Sequence, residues 1–296
     1  IIVDEEHDAS FKQQEGFRYH ARDLAIMRAH LENIPIVLGS ATPSLESLHN
    51  VELQRYQLLV LPERTGSAAH PFFSLIDLRN KALDEGLSLE LIQQIKTHID
   101  RGGQVLVFLN RRGFAPVLIC HACGWFAKCH RCDAKLTIHS SPPILQCHHC
   151  GSQRKLDKQC PECSNQQLMP VGLGTQRLEQ SLLKHFADVN IARIDRDSTK
   201  KKGQLQDILA AIHSGEARIL LGTQMLAKGH HFPDVSLVAV LNADSGLYSS
   251  DFRATEHVAQ LLIQVAGRAG RAEREGEVVI QTHNPDHPLL KKLLDE

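Results

Sequence analysis

The sequence predicts an α/β fold with mainly parallel sheets, arranged as two domains with a cysteine-rich module inserted into the second. Short apolar stretches typical of buried strands alternate with amphipathic stretches typical of helices along most of the chain. The alternation stops at residues 120–163, which contain all eight cysteines. A length of 296 residues is sufficient for two ordinary domains.

The first part of the chain predicts strands at residues 1–3, 34–38 and 56–61 and helices at 21–32 and 44–49. Residues 62–71 are rich in Gly, Ser, Ala and Pro, which indicates a loop or linker. The chain begins inside a strand pattern without a preceding cap or turn. We therefore expect it to be a fragment of a longer protein.

A second series of elements follows the linker. Strands are predicted at residues 73–78, 104–109, 190–194, 218–221, 235–241 and 277–281. Helices are predicted at 89–99, 175–186, 204–213 and 255–265. Gly102 and Gly103 follow the first of these helices and provide a stop signal.

The composition is that of a globular protein, and no apolar run is long enough to span a bilayer. The net charge is −1. This value neither favours nor excludes a nucleic-acid partner, because a basic groove can occur in a protein of neutral total charge.

The cysteines form four Cys-x-x-Cys pairs, a spacing that lets one tight turn direct two sulfurs at one metal ion. Four thiolates complete a tetrahedral zinc site and leave no open position, so we predict two structural zinc ions. Fourteen residues separate Cys132 from Cys147, which is near the usual gap for such a site. The predicted inner site is therefore Cys129, Cys132, Cys147 and Cys150, and the outer site is Cys120, Cys123, Cys160 and Cys163.

Two other interpretations of this segment are less favoured. A disulfide scaffold does not fit a large chain whose remaining residues include no cysteine. A histidine could replace a cysteine ligand, since several occur nearby, but eight cysteines already suffice for two zinc ions. The nearby histidines are His121, His130, His139, His148 and His149.

Asp4, Glu5 and Glu6 follow the first predicted strand and precede His7. At the carboxyl end of such a strand, one carboxylate can hold Mg²⁺ through water, and the next can polarise the water that attacks a γ-phosphate. A solvated acidic turn is the alternative for this motif taken alone.

Three further motifs follow strands or end a helix. Residues 39–43 read Gly-Ser-Ala-Thr-Pro, and residues 222–233 begin Gly-Thr-Gln. Residues 264–271 read Gln-Val-Ala-Gly-Arg-Ala-Gly-Arg, and paired arginines of this kind fit phosphate oxygens. Each motif could be a simple turn, but four in this order indicate an ATP-driven motor.

This order resembles superfamily 2 helicases, with a DEEH box, SAT, a GTQ-type motif and QxxGRxGR. Residues 108–114, Phe-Leu-Asn-Arg-Arg-Gly-Phe, directly precede the cysteine pairs. That arrangement resembles the primosomal protein N′ (PriA) family of replication-restart helicases, and the resemblance extends to residues 172–177, 227–233 and 251–253. It implies two RecA-like domains: residues 1–70 as a truncated first domain, 71–119 and 164–296 as the second, and 120–163 as the zinc insertion.

The resemblance also implies roles for single residues. Asp4 and Glu5 are expected to bind Mg²⁺ and activate water, and His7 is expected to couple nucleotide to DNA. Expected contacts to the nucleotide come from Gln264, Gly229, Arg268 and Arg271. Expected DNA contacts, including an aromatic-rich loop suited to base stacking, come from Phe11, Phe17, Arg18, Tyr19, Ser40, Thr42, Asn110, Arg111, Arg112 and Thr223.

The sequence departs from the family pattern in one respect, since it contains no Gly-x-x-x-x-Gly-Lys-Ser/Thr motif. That loop supplies the amides and the lysine that hold the β- and γ-phosphates. We therefore expect this polypeptide alone to have negligible ATPase activity.

By resemblance, the intact protein is an ATP-dependent 3′-to-5′ DNA helicase that recognises stalled forks and initiates primosome assembly. The implied cofactors are Zn²⁺ and Mg²⁺ with ATP. Implied partners are DNA, primosome proteins and single-stranded-DNA-binding protein, in the bacterial cytoplasm at the nucleoid and without a membrane. Two alternatives are a non-catalytic zinc-stabilised scaffold of the primosome and a zinc-bearing RNA helicase, although no sequence feature recognises a 2′-hydroxyl.

Overall fold

The computed structural model describes residues 1–13, 15–61, 71–110, 117–132, 134–140, 142–171, 175–195, 198–199, 203–227, 232–248, 251–269 and 276–295. The chain divides into two compact units, Ile1–Glu63 and Arg64–Glu296. In the part of the chain that is described, no helix is long and apolar enough to cross a membrane. The predicted boundaries of the two domains and of the insertion remain predictions.

The first unit contains β1 (Ile2–Val3), β2 (Lys12–Gln13), β3 (Tyr19–His20), α1 (Ala21–Glu32), β4 (Val37–Leu38) and α2 (Leu45–Glu52). Strands β1 and β4 pair in parallel, so their carboxyl ends lie side by side. Helix α1 ends at Asn33, which has the left-handed conformation common after a helix.

Two sequence predictions in this unit need correction. The strand predicted at 34–38 is limited to Val37–Leu38, because Pro35 has no N–H to donate to a ladder. The strand predicted at 56–61 is wrong. Its apolar side chains, Leu58 to Leu61, are exposed, and these residues pair with no strand among the described residues. An apolar run without a partner strand cannot satisfy its backbone groups as a strand does.

The second unit begins with β5 (Phe72–Asp77), β6 (Leu83–Asp84), β7 (Leu87–Ser88), α3 (Leu89–Asp100) and β8 (Gln104–Leu109). The cysteine segment contributes β9 (Val117–Cys120), β10 (Leu136–Ser140), β11 (Pro143–Cys147), β12 (Gln153–Lys155) and β13 (Leu168–Val171). The remainder is α4 (Thr175–His185), β14 (Ile191–Ile194), α5 (Gln204–His213), β15 (Ile219–Gly222), α6 (Gln224–Ala227), β16 (Val235–Leu241), α7 (Ala243–Leu247), α8 (Ala254–Ala266), β17 (Glu277–Thr282) and α9 (Pro288–Leu294).

A six-stranded parallel sheet in the order β14-β15-β8-β16-β17-β5 forms the centre of this unit. Strand β8 is buried along its whole length and divides two cores. Val105 and Val107 pack with α3 and α4, whereas Leu106 and Phe108 pack with α5, α8 and α9. Burial on both faces explains why the strand is a continuous apolar run. The predicted α/β class with a parallel sheet is confirmed.

The carboxyl ends of the central strands meet at one edge of the sheet, because their registers are aligned. Phe108 pairs with Gly222 on one side and with Val240 on the other. Asn110, Thr223, Asn242 and Asp195 therefore all follow strands that end at this edge. Open α/β sheets bind their ligands at this edge.

The cysteine segment forms a separate antiparallel sheet in the order β12-β11-β10-β9-β13, none of whose strands was predicted. It packs against the carboxyl edge of the parallel sheet. The Asn80 backbone N–H donates to His121 O at 3.1 Å, and Asn80 Nδ2 donates to Ala122 O at 3.0 Å. Gly124 approaches so closely that an added Cβ would lie 2.3 Å from the carbonyl oxygen of His283.

We predict that Gly124→Ala destabilises the zinc-loaded chain by about 3 kcal/mol, since it adds a steric clash to the strain of a positive φ. Gly151 is the matched control: it also follows a Cys-x-x-Cys pair and has φ +73°, but a Cβ there meets no atom within 4 Å. Gly151→Ala should cost only about 1 kcal/mol of backbone strain. Urea unfolding of both variants measures the difference, and equal losses would contradict the close packing at Gly124.

Candidate functional site

The eight cysteine sulfurs lie in two groups, and within each group all sulfurs are within 4.8 Å of one another. The groups are those predicted: Cys120, Cys123, Cys160 and Cys163, and Cys129, Cys132, Cys147 and Cys150. Two sulfur–sulfur distances in each group are 3.5–3.6 Å. Zinc bound tetrahedrally at about 2.3 Å needs sulfurs about 3.8 Å apart, so both groups fit the ion.

Strand pairing explains the nested arrangement of the two groups. Strands β9 and β13 are neighbours, with Cys120 opposite Leu168, so the first and last cysteine pairs are brought together. Strands β10 and β11 form a hairpin in which Leu136 is opposite Cys147, and this pairing joins the two inner cysteine pairs. Strand pairing thus produces the grouping of the cysteines that their spacing predicted.

Backbone amides donate hydrogen bonds to two sulfurs of the inner zinc site, and the pKa shifts of the thiols differ in direction: burial raises the pKa of Cys120, whereas backbone donors lower that of Cys129. The Arg131 N–H donates to Cys129 Sγ at 3.4 Å and lowers the pKa of the Cys129 thiol to about 6. The Cys150 N–H donates to Cys147 Sγ at 3.5 Å. Zinc binds the thiolate form, so donors of this kind favour the ligand state. When bound, each zinc ion would cross-link the loops that carry its four cysteines. Its role is structural, because four thiolates leave no coordination position for a substrate.

We predict that the purified chain contains two zinc ions and that Cys129→Ser and Cys163→Ser each lose at least one. Serine supplies a harder and less acidic ligand atom than a thiolate, so it does not maintain the site. Elemental analysis of the purified variants measures the loss. His139→Ala is the control and should retain both ions, and two ions in either serine variant would contradict the assignment.

The acidic and SAT motifs of the first unit are in contact. Asp4 follows β1 and Gly39 follows β4, and the Glu6 N–H donates to Gly39 O at 3.1 Å. His7 Nδ1 lies 2.7 Å from Ser40 Oγ, and His7 Nε2 lies 3.4 Å from Thr42 Oγ1. His7, which follows the carboxylates in the chain, is therefore hydrogen-bonded to the two hydroxyls of the SAT motif.

Glu6 is the acidic residue of this motif to which the sequence assigned no role. It is 1% exposed and accepts hydrogen bonds from Arg22 Nη1 at 2.9 Å and from the Ser44 N–H at 2.7 Å. Burial alone raises the pKa of Glu6, but hydrogen bonds from Ser44, Arg22 and Ser47 outweigh it, and the pKa is lowered. Glu6 and Arg22 thus join β1, α1 and the start of α2, which fixes the position of the neighbouring Glu5.

We predict that Glu6→Gln destabilises the chain by about 3 kcal/mol, because it leaves the buried Arg22 without its main counter-charge. The lowered pKa means that this contribution is present above the ordinary pKa of glutamate and is lost as pH falls through the folded value. Urea unfolding at neutral pH measures it. Asp23→Asn removes an exposed partner of Arg22 and should cost below about 1 kcal/mol, and an equal effect of the two variants would contradict the prediction.

The aromatic loop of the first unit presents its rings to solvent. Phe17 is 85% exposed and Tyr19 is 41% exposed, and their ring centroids are 6.2 Å apart. Phe11 is half-buried in a short 3-10 turn, and Arg18 is exposed. These rings are available for stacking, and their role in DNA binding remains a prediction.

The candidates in the second unit have different surroundings. Asn110 is buried, and its carbonyl oxygen accepts hydrogen bonds from Asn242 and Ser245. Thr223 follows β15 and accepts the Leu226 N–H through its backbone oxygen. Gln264 lies on α8, and Arg268 follows the end of that helix. Four further candidates, Arg111, Arg112, Gly229 and Arg271, lie outside the described residues.

Comparison with known proteins matches two domains. Residues 155–273 match the helicase conserved C-terminal domain, and residues 129–155 match the Cys-rich region of the PriA DNA helicase. Two solved structures also resemble the chain at 14% identity over 99% of its length. S. cerevisiae Dbp5 bound to RNA and ADP BeF3 has a TM-score of 0.48, with 56% of that structure covered, and RecG bound to a three-way DNA junction has 0.47, with 27% covered. Both scores are below 0.5 and support no inference.

The parallel sheet, the two four-cysteine groups and the matched domains define a zinc-bearing helicase-type protein. Replication restart protein PriA of Haemophilus influenzae is 56% identical over 99% of this chain, and that of Bacillus subtilis is 44% identical over 97%. The chain belongs to the replication restart protein PriA family, as predicted, and its cysteine module binds zinc. The chain spans 40% and 36% of the length of these two relatives.

Proposed function

We propose that this chain forms part of an ATP-dependent 3′-to-5′ DNA helicase that recognises stalled forks and starts primosome assembly. In this proposal Asp4 holds Mg²⁺ with ATP, and Glu5 polarises the attacking water. Gln264, Gly229, Arg268 and Arg271 contact the nucleotide. The observation that carries the proposal is the hydrogen bonding of His7 to Ser40 and Thr42, because it connects a carboxylate segment to a hydroxyl segment at two adjacent strand ends.

The proposed partners follow from the same assignment. DNA is contacted by the exposed aromatic loop and by residues at strand ends of both units. Primosome proteins and single-stranded-DNA-binding protein are proposed from family membership, as is a location at the bacterial nucleoid. The polypeptide described here is proposed to be inactive without a phosphate-binding loop.

We predict that Glu5→Gln lowers DNA-stimulated ATP turnover by about 100-fold or more, because the variant lacks the base that polarises water. The measurement uses a full-length protein containing this chain. Glu52→Gln is the matched control, since Glu52 is an exposed glutamate at the end of α2 with no assigned role, and its turnover should stay near wild type. DNA binding should survive in both variants, and sustained turnover in Glu5→Gln would refute the catalytic assignment.

A second candidate function is a non-catalytic scaffold of the primosome. The two closed zinc sites favour it, because they build a surface and hold no position for substrate. Glu5→Gln separates the two functions: normal primosome assembly without unwinding shows that both exist and are separable. If Glu5→Gln changes neither activity, the scaffold function alone remains.

A further inference from the structure

The zinc-binding module, residues 120–163, contacts the parallel sheet through a chain of three polar side chains. His121 follows the zinc-site residue Cys120, and its Nδ1 lies 3.0 Å from His283 Nε2. His283 Nδ1 lies 3.1 Å from Asp244 Oδ2, and His121 Nε2 lies 2.9 Å from Lys81 O. His283 and Asp244 are 5% and 3% exposed, so these two members of the hydrogen-bonded series lie in the protein interior. The series connects the outer zinc site to residues that follow β16 and β17.

A second contact comes from the inner zinc site. Lys135 lies three residues after Cys132, and its Nζ donates to Leu247 O at 2.6 Å. The same ammonium lies 5.0 Å from the ring centroid of Tyr248. That centroid is 3.9 Å from the centroid of Phe126 in the module, and the two ring planes are tilted by 31°. Burial lowers the pKa of Lys135. A half-buried cation of this kind is stabilised by the carbonyl at a helix end and by aromatic faces.

Both contacts reach the same short helix, α7. Asp244 and Leu247 belong to it, and Tyr248 follows it directly. Helix α7 in turn packs against the sheet and α8, since a Cβ added at Gly246 would lie 2.6 Å from Asn110 Nδ2 and 2.4 Å from Val258 Cγ2. The module thus reaches both ends of one helix, in addition to its hydrogen bonds with Asn80 and the close approach of Gly124 to His283.

Two anchors on a rigid element fix an orientation as well as a position. Hydrogen bonds and cation–π contacts are directional, whereas apolar burial is not. A module connected only by the chain could rotate about its connections and could not transmit a displacement of the sheet. The directional contacts therefore fix the orientation of the module relative to the parallel sheet.

We propose that His283 and Lys135 are positioning residues that lock the zinc-binding module to the parallel sheet, so that the two move as one body during strand separation. The part of this inference that concerns strand separation rests on the proposed helicase function. The locked orientation rests on the contacts alone. Both residues act through the module, and neither is assigned to the nucleotide.

The test uses His283→Asn and Lys135→Met in a full-length protein containing this chain. Asparagine can still donate to Asp244 but cannot reach His121, and methionine retains the apolar stem of lysine without its charge. We expect two zinc ions and DNA-stimulated ATP turnover within about twofold of wild type. Base pairs unwound per ATP hydrolysed should fall about tenfold in each variant and further in the double variant.

His139→Ala is the matched control. His139 lies on β10 of the module and stacks on His148, an exposed contact within the module that does not include α7. This variant should unwind as many base pairs per ATP as wild type. Unwinding per ATP that stays at the wild-type value in both His283→Asn and Lys135→Met would overturn the proposal. Loss of zinc in either variant would also overturn it for that residue, which would then be a stabilising residue.

Amide hydrogen exchange supplies a measurement that does not depend on unwinding. Exchange at residues 120–126 should accelerate about tenfold in His283→Asn, while exchange in β10 and β11 stays near wild type. Unchanged exchange at 120–126 would refute the lock. If exchange responds but the wild-type protein unwinds no DNA, the proposed helicase function fails and the lock stands.

Discussion

Parallel strand pairing is the constraint on which the rest of this structure depends. It brings the carboxyl ends of neighbouring strands to one edge, so residues distant in sequence become neighbours without further contacts. In the first unit, pairing of β1 with β4 places the acidic motif beside Ser40. In the second unit, the six aligned strands build the edge against which the zinc-binding module packs. In both units, strand direction determines where the site residues meet, and single side chains determine only the local contacts.

Buried charges then fix details that strand pairing leaves open. Glu6 and Arg22 in the first unit, and Asp244 in the second, are almost fully buried, and each has several hydrogen-bond partners. Desolvating such groups costs about as much as their pairing returns, so they add little net stability. They do make alternative arrangements costly, because any displacement leaves a buried charge without a partner. Their contribution in this protein is to set the geometry next to Glu5 and next to His121.

The sequence predicted most of the parallel sheet because β8 and β16 are continuous apolar runs between turn residues. It also predicted the two cysteine groups, since spacing limits which thiolates can share an ion. It did not predict β9 to β13, which the metal sites stabilise and which have little apolar periodicity. Contacts such as Glu6 with Arg22, 16 residues apart, and Asp244 with His283, 39 residues apart, depend on tertiary folding and have no local signal.

The zinc-binding module has an apolar core of its own, yet strand β9 also attaches it to the core of the parallel sheet. Val117 packs into the core of the parallel sheet, and Leu118 packs into the core of the module with Leu136 and Leu145. One strand thus belongs to two apolar clusters through its period of two. Apolar burial through β9 determines that the module stays attached, but burial alone leaves its rotation poorly specified. The directional contacts of Lys135 and His121 remove that freedom, so attachment and orientation are stabilised by different forces.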